Sequence, residues 1–81
     1  SNDLLRIYLN DKGLNREVLK LPPAVALRVI KNWLYSIGVT APRGALERII
    51  KEGQSKDTVM IQGPPWFKVQ IAKNNIFYIG D

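Results

Sequence analysis

Apolar residues recur along this chain with two periods, and the change of period divides it. Over residues 23–37, "PAVALRVIKNWLYSI", Leu27, Ile30, Leu34 and Ile37 fall at three- and four-residue steps, and Ala26 and Trp33 widen the stripe. That spacing predicts a helix with one face toward a core and Arg28, Lys31, Asn32 and Tyr35 on the other side. Pro23 suits its first turn, where an N–H would lack an intrahelical partner anyway, and Gly38 stands where a C′ glycine would end it. A second helix is expected over about residues 41–52, capped by Thr40 and ended by Gly53, with Pro42 tolerated in its first turn. Ala45, Leu46, Ile49 and Ile50 make its apolar face. Arg43 with Glu47, and Glu47 with Lys51, stand four apart and would add roughly 0.3 kcal/mol each.

After residue 57 the period drops to two. "TVMIQ" places Val59 and Ile61 on one face; "WFKVQIA" places Phe67, Val69 and Ile71 on one face and Trp66, Lys68 and Gln70 on the other. "GPP" separates these strands, since Pro64 and Pro65 have no N–H to give a ladder, "KNN" turns the chain, and "IFYIG" forms a last strand. At the amino end "LLRIYL" (residues 4–9) alternates Leu5, Ile7 and Leu9 with Arg6 and Tyr8, which predicts a half-buried strand, although so short a run also fits a helix end. "NDKG" is a turn. Asn15 then caps a short helix over residues 16–20, with Glu17 in its first turn, and Pro22-Pro23 stops it. The expected fold is α+β: two main helices plus a short one packed on a small antiparallel β-sheet, with the first strand added at an edge. Trp33, Leu34, Leu46, Ile49, Val59, Ile61, Val69 and Ile76 supply much of the core, with Phe67 and Phe77.

Composition narrows what such a domain does. The 81 residues contain no cysteine and no histidine, which removes disulfides, thiolate metal sites and His-based nucleophilic catalysis. Glu47, Glu52 and Asp57 show no spacing that asks for paired-carboxylate chemistry, and no glycine-rich loop runs from a strand into a helix to cradle phosphate. Twelve Lys and Arg against seven Asp and Glu leave a net charge of +5, which favours a polyanionic partner; a basic surface that serves only solubility is the alternative. No apolar run reaches membrane-spanning length, and a cytoplasmic domain is expected. Ser1-Asn2 reads as the remnant of a cleaved tag, so that residues 3–81 would be one domain cut from a larger protein.

The basic residues fall where two readings compete. Helix, short turn, helix and hairpin is the order of a winged-helix DNA binder, but the second helix opens "APRGALER", in which only Arg43 and Glu47 could reach bases, and the hairpin tip "GPP" is uncharged. In the other reading both helices serve the core, and Arg28 and Lys31, with Lys68 on the strand face, track phosphates by counterion release. A domain-docking module whose charge is only solvated is a third possibility.

The ordered set "LKLPPAVALRVIKNWLYSIGV", "PRGALERIIKE" and "VQIAKNNIFYI" resembles the substrate-binding domain that follows the catalytic domain in bacterial tRNA(Ile)-lysidine synthetases. The resemblance covers about residues 14–79 and is carried by Leu21-Pro22-Pro23, Lys31, Trp33-Leu34, Arg43, Ala45-Leu46 and residues 76–79. It implies a non-catalytic tRNA-binding domain that helps position the CAU-anticodon tRNA(Ile) while a preceding domain uses ATP, with magnesium, to join lysine to the wobble cytidine. The Ser-Gly-Gly-x-Asp-Ser phosphate site of that catalytic domain is absent here, so no cofactor belongs to this chain and the catalytic domain would be an intramolecular partner. Two positions depart from the family: Asn32 stands where a second basic residue often precedes the Trp, and Gln70 and Ile71 stand where an arginine is common. The candidate tRNA contacts are Lys31 and Arg43, then Arg28, Lys51 and Lys68.

Overall fold

Pro22 and Pro23 separate a short 3-10 helix from a long α-helix. The computed structural model describes residues 2–42, 44–63 and 66–80; Arg43, Pro64 and Pro65, on which part of the reading above rests, lie outside the described residues. Helix α1 (Asn2–Tyr8) leads into a hairpin of β1 (Leu9–Asn10) and β2 (Gly13–Asn15), a 3-10 helix (Arg16–Lys20), α2 (Pro23–Ser36) and α3 (Ala45–Ser55). A meander of β3 (Val59–Gly63), β4 (Phe67–Ile71) and β5 (Asn75–Tyr78) completes the chain. The sheet has the order β1-β2-β5-β4-β3 with every neighbouring pair antiparallel. The helices cross from β2 to the far edge and cover one face, so the expected α+β fold is what forms.

The meander follows the alternation closely. Ile61 pairs with Val69 and Ile71 with Ile76, and all four side chains, with Phe67, are fully buried against the helices. Phe77 departs from its expected core position: it sits across from Gln70 on the outer face and is half-buried, because Ile76 occupies the inward site of β5. Tyr78 takes the aromatic role instead, its ring 5.8 Å from that of Phe67. Leu46 and Val59 are half-buried at the margin of the core.

Further expectations are corrected. Residues 4–8 are helical, not a strand: Leu4, Leu5 and Tyr8, spaced one and four apart, pack on the core, and Ile7 is left 69% exposed. In so short a run the two periods differ by one residue's placement, and docking on α2 and the 3-10 helix decides for the helix. On α2 the buried stripe is Ala26, Val29, Ile30, Trp33 and Leu34; Leu27 is half-buried, and Ile37, past the last turn, is 48% exposed. Helix α3 begins at Ala45, because Gly44 adopts φ +83°, and Thr40 does not cap it. Nor does Gly53 end it. The helix runs through Gly53 to Ser55, and a Cβ at Gly53 would come within 2.5 Å of Leu19 Cδ1, so the missing side chain is what lets the 3-10 helix pack against it.

Other local readings hold. The Asn15 side chain accepts a 2.8 Å hydrogen bond from the Glu17 N–H and caps the 3-10 helix. At its other end the 3-10 helix stops at Lys20, and α2 opens with Pro23 in its first turn. The expected pair of Glu47 with Lys51 on α3 does not form, and Arg43, the other expected partner of Glu47, lies outside the described residues. The i,i+4 pair seen among the described residues is Glu52 with Lys56, 2.6 Å apart, whose ammonium holds the Glu52 carboxyl below the usual carboxylate range.

Arg16 closes the structure from one side. Its Nη2 donates to the Gly53 carbonyl at 2.8 Å and to that of Lys56, and its Nη1 donates to the Ala72 carbonyl at 2.9 Å and to that of Asp57. The last turn of a helix leaves carbonyls without intrahelical partners, and a guanidinium supplies fixed, charge-assisted donors for them. Arg16→Ala is expected to cost roughly 2–4 kcal/mol, a fall in melting temperature of about 10 °C or more, with Arg16→Lys restoring only a part because it has no fork. Thermal melts followed by circular dichroism check this, and an unchanged midpoint would show that water replaces the guanidinium at no cost. Gly53→Ala is expected to lower stability by roughly 1–3 kcal/mol in spite of alanine's better helix propensity, since Leu19 and Ile71 leave no room. The same melts measure it, and a rise in midpoint would mean that Leu19 can turn aside.

Candidate nucleic-acid interface

The inward stripe of α2 fixes which side chains face out. With Ala26, Ile30, Trp33 and Leu34 held in the core, residues 28, 31 and 35 fall on the opposite side of the cylinder. Arg28 and Lys31 are exposed there, three residues apart, and Tyr35 follows one turn later with 79% of its surface open. The helix that carries them is closed at its end in a fixed way. Gly38, at φ +82°, donates its N–H to the Tyr35 carbonyl at 3.0 Å, and Val39 donates to the Leu34 carbonyl at 2.8 Å. These two bonds form a Schellman motif, and the left-handed conformation it needs is one that glycine takes without strain.

That turn sends the chain back along α2. Val39, Thr40 and Ala41, with Leu46 of α3, form one wall of a groove of about 300 Å³ whose other wall is Lys31, Asn32 and Tyr35. Among the described residues that line it, none is acidic. Asn32 and Tyr35 also edge a second hollow between α1 and α2, lined by Leu5, Arg6, Leu9 and Ser36. Tyr35 thus stands on a ridge between two depressions.

The sequence-derived candidates do not form a single patch. Arg28 and Lys31 share the outer face of α2. Lys51 is exposed on α3, whose neighbouring Arg48 is engaged with the Gln62 carbonyl of β3 at 2.8 Å. Lys68 pairs across from Gln62 in the ladder, and strand alternation turns it away from the helices, because Phe67 and Val69 beside it are buried beneath them. Lys31 and Lys68 therefore lie on opposite surfaces. Arg43 lies outside the described residues.

Sequence reasoning placed Tyr35 on the outer face but missed the groove beside it. The glycine that turns the chain was legible; the path of residues 39–41 after it was not, since it depends on Leu46 arriving from α3. A second cluster, around Arg16, Lys20, Asp57 and Lys73, borders a hollow, but the Arg16 guanidinium there is committed to four backbone carbonyls. Among the described residues no three acidic side chains gather where a metal ion could sit, and no helix is long and apolar enough to cross a membrane. No family model matches the chain, and no curated protein or solved structure is significantly similar to it.

Proposed function

We propose that this chain is a non-catalytic RNA-binding domain, and that its RNA is the CAU-anticodon tRNA(Ile) which a lysidine synthetase modifies. The observation that carries the reading is the outer face of α2, where Arg28 and Lys31 project side by side from a helix anchored by five buried residues. Because both side chains project from a rigid helix, only their rotamers and not the backbone must be ordered when they meet phosphates, and each contact releases condensed counterions. The net charge of +5 adds a long-range attraction that speeds encounter. The resemblance in the Leu21-Pro22-Pro23 entry, Trp33-Leu34 and Ala45-Leu46 names the polyanion. The chemistry itself, with ATP, magnesium and lysine, would belong to a catalytic domain outside this sequence.

Contact with that domain has its own candidate surface. Leu9 and Ile37 border one hollow with Trp33, Phe77 and Tyr78, and both are about half exposed, with Ile7 more open on α1. Neighbouring apolar side chains left in water mark a protein contact more often than a nucleic-acid one. In this arrangement α2 binds RNA while the α1 end docks, which makes the docking role a companion of RNA binding.

The test is a titration of the chain with the tRNA and with a DNA duplex of equal phosphate count, at two salt concentrations. The tRNA is expected to bind more tightly, and two phosphate contacts would give a log–log salt slope of roughly −1.4 to −1.8. Joint Arg28→Glu and Lys31→Glu is expected to weaken tRNA binding at least fivefold, and Lys68→Glu, on the opposite surface, to change it less than twofold. A preference for the duplex would replace this reading with the winged-helix one. Salt-independent or absent binding would leave only docking.

A further inference from the structure

We propose that the groove between α2 and the α2–α3 joint receives one unpaired nucleotide of the RNA, with its base against Tyr35 and its phosphate on Lys31. This rests on the RNA-binding reading and deepens it. Four features of the groove select that occupant. Tyr35 is 79% exposed and borders the groove, so an aromatic ring is open there for a base to stack on. Val39, Ala41 and Leu46 supply a half-buried apolar floor on which a ring loses water. The Asn32 amide, both donor and acceptor, and the Thr40 hydroxyl lie on the same lining and can satisfy the polar edge of a base. Lys31 lies in that lining too, Arg28 is one turn back, and no acidic side chain opposes a phosphate among the described lining residues.

The size of the groove decides between paired and unpaired nucleotides. At about 300 Å³ it is at the small end of ligand pockets and has no room for a double helix. A base reaches it only when it has left its stack, which is the form in which RNA bases are generally read by proteins. The phosphate-tracking face then positions the strand, and the groove adds a preference for a site with a bulged nucleotide.

Three RNA hairpins with one stem sequence distinguish this from general phosphate binding. One is fully paired, one carries a single bulged nucleotide, and one carries an abasic residue at the bulge. The full 81-residue chain is expected to bind the bulged hairpin about tenfold more tightly than the other two. Tyr35→Ala is expected to bring the bulged hairpin to the affinity of the abasic one, and Tyr35→Phe to keep the difference, since the ring and not the hydroxyl does the stacking. Because Tyr35 stands outside the core, both variants should fold, and their melting curves verify it. Equal, salt-dependent affinity for all three hairpins would overturn the groove proposal and leave RNA binding in place, assigning the groove to another occupant such as a side chain of an adjoining domain. Absence of salt-dependent binding to any hairpin would overturn both.

Discussion

The guanidinium of Arg16 ties the 3-10 helix to segments that come from three distant stretches of the chain. Its four carbonyl partners belong to the end of α3, the loop into β3 and the residue that follows β4, while its own backbone N–H donates to the Asn74 carbonyl at 3.0 Å. Side chain and main chain thus connect β2 and the 3-10 helix to three places far away in sequence. The connection matters because α3 carries Gly53, which weakens a helix interior by about 1 kcal/mol against alanine. Leu19 packs where the glycine side chain is missing, and Arg16, three residues before it, donates to the carbonyl of that same glycine. The packing and the hydrogen bonds therefore impose one geometry on α3 from the same short helix, and α3 in turn carries Leu46 to its place beside residues 39–41.

A small domain has little core with which to fix its surface, and this one fixes the outer face of α2 indirectly. The stripe from Ala26 to Leu34 sets the rotation of the helix, and the Schellman bonds at Gly38 set where it stops. With rotation and end point both fixed, Arg28, Lys31 and Tyr35 have no freedom to trade places with the buried stripe. Their exposure follows from what the core demands of their neighbours. A lysine or arginine rotated inward would need a charge partner, and there is no buried polar or charged residue among the described ones.

Most of this architecture was legible in the residues. Strict alternation in β3 and β4 named every inward side chain, Asn15 was readable as a cap, and Pro23 and Gly38 marked the ends of α2 to within a residue. What stayed hidden shares one physical cause: each case depended on a contact between segments distant in sequence. Alternation and helical spacing coincide over the few residues at positions 4–8, and only docking on α2 and the 3-10 helix distinguishes them. Gly53 carries the local signature of a helix end, and Leu19, thirty-four positions earlier, reverses it. Arg16 looks like any exposed cation until four carbonyls converge on it. The candidate site divided in the same way. The outward direction of Arg28 and Lys31 came from period alone, whereas the separation of Lys68 onto the far surface required knowing which face of the sheet the helices cover.

That division bears on how function could be built into so small a domain. The side chains that set the fold and those proposed to meet RNA are on opposite sides of one helix, so substitutions on the outer side leave the packing of Ile30, Trp33 and Leu34 untouched. The groove is different, because Leu46 belongs both to its floor and to the margin of the core. A change there alters the width of the groove and the seating of α3 together. In the proposed binding mode, specificity for what enters the groove is therefore coupled to the stability of the α2–α3 joint, while affinity for a phosphate backbone, assigned in that proposal to Arg28 and Lys31, is free to vary without it.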